Sequence, residues 1–171
     1  ESLFGARDIF GIKPFYYYRD GGTLIYGSEI KGLLPHPNFR KEFDEKWLPT
    51  YLCFEYIPND ETLFQNVRKL PAGCCFTAKG GEMTVERYFD LRYDIKSGKT
   101  MEQWMDEIEE VFRASCKAHC ISDVEVGCFL SSGVDSSYVT RLLRDDMPVR
   151  AFSIGYAEQK YSELAHAKEL A

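Results

Sequence analysis

The hydrophobic and polar positions follow two different rhythms along the chain. Up to about residue 92 the apolar residues come in short runs cut by glycine, proline and charge. Residues 3–7 and the aromatic run at 14–18 predict strands. Asp20-Gly21-Gly22 predicts a turn, with 23–26 returning as a hairpin. Tyr16, Tyr17 and Tyr18 alternate between sheet faces on this reading. Ser28 is positioned to cap a short helix over 29–34, which stops before Pro35. A second helix, 44–55, places Trp47, Leu48, Tyr51 and Leu52 on one side and breaks at Pro58-Asn59-Asp60. Two further strands, 74–78 and 83–89, flank Lys79-Gly80-Gly81. The first part thus reads as a mostly antiparallel sheet with short helices.

The rhythm changes after the polar stretch 92–99. Thr100 and Gln103 form a capping box. Met101, Trp104, Met105, Ile108, Val111, Phe112 and Ser115 then recur on one helical face to about His119. The apolar run 126–130 predicts a strand buried on both faces, as in a parallel sheet. A helix over 136–144, a strand over 149–156 and a helix starting near Ser162 complete a right-handed βαβ pattern.

Composition narrows the function classes. The 171 residues carry 21 Lys plus Arg against 27 Asp plus Glu, a net charge of −6. With 44% apolar and 28% charged residues, the chain is neither fibrous nor disordered. The acidic balance opposes a nucleic-acid binder or an anionic-membrane binder. It leaves room for a nucleotide, because backbone amides hold phosphate without net positive charge. No apolar run approaches the ~18 residues of a membrane span. Glu1-Ser2-Leu3-Phe4 does not read as a signal or transit peptide, and the chain opens without Met and closes inside a helical pattern. Both features suggest the middle of a longer protein, and the lack of a secretory signal at this start suggests a cytoplasmic one. Cys53, Cys74, Cys75, Cys116, Cys120 and Cys128 have spacings unlike a disulfide framework and read as reduced thiols. Cys116, His119 and Cys120 could supply metal ligands, but no second ligand pair follows.

The segment richest in chemistry is Leu130-Ser131-Ser132-Gly133-Val134-Asp135-Ser136-Ser137, between an apolar strand and a helix start. Ligands of parallel sheets bind beyond the carboxyl ends of strands, where free helix N–H groups favour an anion. Gly133 lets the backbone approach a phosphate, and Ser131, Ser136 and Ser137 offer hydroxyl donors. Asp135 would repel phosphate, so it suits ordering the loop or binding Mg²⁺. The bland alternative is a serine-rich turn with an ordinary cap. The pattern is neither a Walker A loop nor a dinucleotide fingerprint.

This segment resembles the pyrophosphatase loop, Ser-Gly-Gly-x-Asp-Ser, of the ATP pyrophosphatases. Further blocks, in the same order, are similar to the glutamine-hydrolysing asparagine synthetases: 6–17, Gly27-Ser28-Glu29-Ile30-Lys31-Gly32-Leu33-Leu34, Arg68-Lys69-Leu70-Pro71-Ala72-Gly73, 87–91, 122–130 and Ala151-Phe152-Ser153-Ile154-Gly155. The resemblance spans nearly the whole chain. Ser132 departs from it by standing where the loop has its first glycine. If that position needs positive φ, serine would be strained there by roughly 1 kcal/mol.

The resemblance implies an α+β remnant of an N-terminal-nucleophile glutaminase sandwich over 1–92, a linker over 93–99, and over 100–171 the α/β start of an adenine-nucleotide alpha-hydrolase-like (PP-loop) domain. It implies ATP-dependent amidation of aspartate through β-aspartyl-AMP, with ATP, Mg²⁺, aspartate and glutamine-derived ammonia as small-molecule partners and a homodimeric full-length protein. It implies that 131–137 hold pyrophosphate, that Leu130 and Ile154 line the adenine pocket, and that Asp135 can meet Mg²⁺. None of the six cysteines matches the glutaminase nucleophile. Two other readings stay open: a PP-loop relative with a different acceptor, such as a β-lactam synthetase-like enzyme, and an inactive truncated chain. Within the first block, Arg7 and Asp8 read as an ion pair bracing the turn at Phe10-Gly11, and His36, His119 and His166 receive no role.

Overall fold

A computed structural model describes residues 1–95, 98–158 and 162–171. The chain forms two compact units, Glu1–Asp94 and Ile95–Ala171. Of the stretch read as a linker, Lys96 and Ser97 lie outside the described residues.

The first unit contains β1 (Ser2–Ala6), β2 (Tyr16–Asp20), β3 (Thr23–Gly27), α1 (Leu48–Phe54), β4 (Val67–Lys69), β5 (Cys74–Lys79) and β6 (Glu82–Arg87). They build two three-stranded antiparallel sheets, ordered β1-β5-β6 and β3-β2-β4. Tyr17, Leu70, Cys74 and Phe76 form a buried cluster joining residues of both sheets. The Phe15 and Phe76 rings meet within it at 5.6 Å between centroids. Phe76 lies over Gly5, its partner in register, where a Cβ would run into the ring. The tyrosine run alternates as expected. Tyr17 faces this cluster, and Tyr18 lies on the other face with Leu33 and Val67.

Several expectations need correction here. The helix expected over 29–34 is a single 3₁₀ turn, Ile30–Gly32, and its N-cap is Glu29, not Ser28. Gly27, Gly32 and Pro35 leave too short an uninterrupted stretch for α-helical nucleation. The helix expected over 44–55 splits into a 3₁₀ turn, Glu45–Trp47, and α1, with a proline in the first turn of α1. β4 escapes a periodicity search because it has only three residues, two of them cationic.

Arg7 and Asp8 do brace the turn, but not by pairing with each other. The Arg7 guanidinium donates to the carbonyls of Lys13 (2.9 Å), Leu70 (2.7 Å) and Gly11 (2.7 Å). The Asp8 carboxylate accepts from the amides of Phe10 (3.2 Å), Ile12 (2.9 Å) and Lys13 (3.0 Å). Each charge meets backbone groups of the opposite polarity, which suits a chain reversal with many unpaired N–H and C=O groups. The Lys13 amide first, then that of Ile12, holds the Asp8 carboxyl below its ordinary pKa.

The second unit contains α2 (Met101–His119), β7 (Gly127–Phe129), α3 (Val134–Asp146), β8 (Arg150–Phe152) and α4 (Leu164–Leu170). The capping box is present: the Thr100 hydroxyl accepts from the Gln103 amide at 3.2 Å, and the Gln103 side chain accepts from the Thr100 amide at 3.0 Å. β7 and β8 pair in parallel, with α3 between them in sequence. α2 meets α3 through Phe112 and Tyr138, 5.3 Å between centroids. Arg113 reinforces the pair through Asp145 at 3.3 Å and Asp146 at 3.5 Å.

Two burial expectations fail in this unit. β7 is not covered on both faces, since Phe129 is 79% exposed. On α2, Met101, Met105, Ile108 and Val111 are exposed, while Trp104, Phe112 and Cys116 are half-buried. A two-stranded sheet and one neighbouring helix present too little surface to cover every apolar position. β8 is also shorter than the strand expected over 149–156. All six cysteines are free thiols. Burial, then the neighbouring Cys120, pushes the Cys116 thiol upward. Among the described residues no group of three metal-ligating side chains occurs, and no helix is long and apolar enough to cross a membrane.

Two outcomes follow from the first unit. Phe76→Ala is expected to cost about 3–5 kcal/mol of unfolding free energy in a denaturant titration. Asp8→Asn is expected to lower the melting temperature at pH 7. Because folding lowers the Asp8 pKa, its contribution is present above ~3.9 and fades as pH falls through the folded value. The gap between wild type and D8N is therefore expected to close in melts taken below about pH 4.

Candidate functional site: the loop between β7 and α3

The loop leaves the carboxyl end of β7 and feeds directly into α3. Leu130 anchors it. This side chain is buried, its N–H donates to the Phe152 carbonyl at 2.8 Å, and its carbonyl accepts from the Ser153 hydroxyl at 2.7 Å. Both ends of that residue are therefore tied to β8 and the residue after it.

Ser131 and Ser136 hold the bend. Their hydroxyl oxygens lie 2.7 Å apart, and the Ser136 hydroxyl accepts from the Ser131 amide at 3.1 Å. The Gly133 amide donates to the Ser131 hydroxyl at 3.2 Å. The Ser137 hydroxyl donates to the Gly133 carbonyl at 2.7 Å, so it is turned onto its own helix and away from the cleft. The serine hydroxyls read from sequence as donors to a ligand thus first organise the loop itself.

Gly133 is the N-cap of α3 with extended backbone, φ −74°. Its lack of a side chain matters for closeness, since a Cβ would lie 3.2 Å from the Ser131 hydroxyl. Ser132 does not adopt positive φ, so the strain considered for a serine at this position does not arise. The amides of Val134, Asp135 and Ser136 have no acceptor among the described residues, as expected for a first helical turn. Their dipoles point out of the N-terminus and create a positive field there. Asp135 sits in that turn with an exposed side chain.

A cleft of about 390 Å³ opens beside the loop, lined by Leu130, Ser131, Ser136, Ile154, Tyr156 and Glu163 among others. The structure therefore brings four of the sequence-derived residues, Leu130, Ser131, Ser136 and Ile154, to one cleft. Ser132, Gly133, Val134 and Asp135 form the exposed rim of the loop. A larger cleft of about 530 Å³ lies in the first unit against Tyr17, Arg19 and Arg68. Its Arg68 is already paired with Glu61 (2.7 Å) and Asp60 (3.1 Å), and Arg19 donates to the Gly81 carbonyl at 3.1 Å.

Three contributors were not singled out from sequence. Ser153 ties Leu130, Tyr156 adds an aromatic wall, and Glu163 accepts from the Ser132 amide at 3.2 Å. Ser153 lies inside the block Ala151-Phe152-Ser153-Ile154-Gly155, which was a usable signal. Nothing local marks Glu163, which lies 31 residues beyond Ser132. Gly155 has a packing reason of its own: a Cβ there would run into Leu164 at the start of α4.

With this geometry in view, the comparisons with known proteins are specific. Residues 1–89 match the glutamine amidotransferase domain model, and 107–171 match the asparagine synthase model. Asparagine synthetase [glutamine-hydrolyzing] 1 of Bacillus subtilis is 37% identical over 99% of this chain and 27% of its own length. A putative asparagine synthetase [glutamine-hydrolyzing] 2 of Methanocaldococcus jannaschii is 34% identical over 97% of this chain and 33% of its own. Amidase chyE of Penicillium rubens is 29% identical over 86% of this chain and 22% of its own. The chain thus spans between about a quarter and a third of the two synthetases. A match that runs unbroken from the amidotransferase part into the synthase part places both units in one lineage: the chain belongs to the family of glutamine-hydrolysing asparagine synthetases.

Proposed function

We propose that the protein containing this chain is an asparagine synthetase that uses glutamine as its nitrogen source. It would activate the aspartate β-carboxylate with ATP, release pyrophosphate from β-aspartyl-AMP formation, and deliver glutamine-derived ammonia to the activated carboxyl. The observation that carries this reading is the family match across nearly the full chain, in both its amidotransferase and synthase parts. On this reading 1–92 belong to the amidotransferase domain, 93–99 link, and 100–171 begin a PP-loop domain. The protein would work in the cytoplasm as a homodimer on small molecules.

Within the site, the amides of Val134, Asp135 and Ser136 would receive the departing diphosphate together with the hydroxyls of Ser131 and Ser136, while Ser137, bonded to the Gly133 carbonyl, would steady the turn that carries them. Fixed dipoles aimed at charge that grows on the leaving group lower the barrier without reorganising. Gly133 keeps the rim low enough for close approach, and Ser132 continues the amide-lined bend. Leu130 and Ile154 offer an apolar wall to the adenine. Mg²⁺ would neutralise charge on the phosphate chain. The exposed Asp135 carboxylate fits as one oxygen ligand for that ion, with water and phosphate oxygens completing the shell. A second reading, the same activation applied to another carboxylate, draws support from the similarity to amidase chyE.

Calorimetric titration with ATP·Mg²⁺ tests the site. Binding by the wild type is expected, with Asp135→Ala weaker by about tenfold or more. Ser136→Ala is expected to weaken binding by a similar factor. It also removes the acceptor of the Ser131 amide, at about 1 kcal/mol of stability read from denaturant unfolding. Aspartate-dependent pyrophosphate release by the full-length protein separates the two acceptors. Release with aspartate supports the synthetase, and its absence with intact ATP binding favours the other carboxylate.

A further inference from the structure

Glu163 stands out because its carboxylate is spent on a group that its own helix does not need. It occupies the N-cap position of α4, where a short polar side chain would ordinarily accept from the amides of the first turn. It makes no such bond. Its Oε2 instead accepts from the Ser132 amide, 3.2 Å away, on the β7–α3 loop. Packing sets where α4 starts, with Leu164 against Gly155 and Ala167 buried. The carboxylate therefore lies at the loop because α4 is seated there, and it lines the same cleft as Leu130, Ser131, Ser136 and Ile154.

We infer that Glu163 is a built-in counter-anion of this loop, holding the Ser132 amide in the ligand-free protein and leaving it when a diphosphate group arrives. The inference rests on the anion-binding reading proposed above. A carboxylate and a diphosphate on one short bend repel each other, and the repulsion grows with the charge of the incoming group. Both cannot share the Ser132 amide. The loop's apparent affinity is therefore its intrinsic affinity reduced by the fraction of molecules in which Glu163 is seated.

Two consequences follow for the site. A small, weakly charged anion gains too little from one amide to displace a tethered carboxylate. A diphosphate that also reaches the amides of Val134, Asp135 and Ser136 gains enough. Glu163 thereby sets a threshold that selects for the longer polyanion. Its departure also frees the first residues of α4 from the loop, which couples occupancy of the site to the segment after β8. Glu163 is a positioning residue in this scheme, since it acts on the loop amide and not on reacting atoms.

The test is calorimetric titration of inorganic pyrophosphate, at fixed ionic strength, into the wild-type full chain and Glu163→Gln. The substitution keeps the size of the side chain and removes its charge. It is expected to tighten pyrophosphate binding about tenfold. The Ser132 amide resonance is expected to differ between the two free proteins and to coincide once both hold pyrophosphate. Glu163→Ala, which also removes the acceptor, is expected to bind at least as tightly as Glu163→Gln. Equal or weaker binding by Glu163→Gln, beside a wild type that binds, overturns the role of Glu163 and leaves the anion site standing. Absence of binding by all three proteins overturns the anion site itself, and this inference with it.

Discussion

The site depends on one contact, the 2.7 Å approach of the Ser131 and Ser136 hydroxyls. It joins the residue after the β7 anchor to the first turn of α3. A helix N-terminus supplies oriented amides, but amides are useful only where the chain leading to them is fixed. The serine pair fixes that chain with short neutral side chains. It adds no positive charge, so the positive field at the start of α3 comes from backbone dipoles and remains local. That design agrees with a chain of net charge −6.

The helix behind the loop is held along its length by a different set of forces. Thr140 donates its hydroxyl to the Ser136 carbonyl at 2.7 Å, within the first turns. Leu142 and Leu143 are buried near the far end. Arg113 of α2 reaches Asp145 and Asp146 where α3 stops. These exposed ion pairs add little free energy by themselves. Their use is directional, because they keep the end of α3 against α2 and so keep its beginning aimed beyond the strands.

How much of this was legible in the sequence follows from the range of each interaction. The capping box at Thr100 and Gln103, the tyrosine alternation and the β7–α3 junction are written within a few residues, and they were read correctly. The failures have different causes. The 29–34 segment shortened to a 3₁₀ turn because Gly27, Gly32 and Pro35 crowd it, whereas Arg7 turned to carbonyls as distant as Leu70 because tertiary partners decided the outcome. The apolar face of α2 was visible, but periodicity cannot say how much of a face finds cover. In the site, Leu130, Ser131 and Ser136 were legible as one contiguous motif. Glu163 was not, since its link to Ser132 exists only after α4 has docked on Gly155.

The Arg7 guanidinium gathers carbonyls from Gly11, Lys13 and Leu70 onto one planar cation. Those three oxygens must stay at a fixed spacing for a single fork to reach them. Residues 8–13 therefore have no freedom in length, although they form a surface connection of the kind that ordinarily accepts extra residues. The reversal at Gly21-Gly22 carries no comparable staple, and a Cβ at either glycine would meet open space, whereas at Gly80-Gly81 the Gly81 carbonyl is held by Arg19. An epitope or fluorophore grafted onto this unit belongs at the Gly21-Gly22 tip, where added chain displaces no guanidinium from a carbonyl.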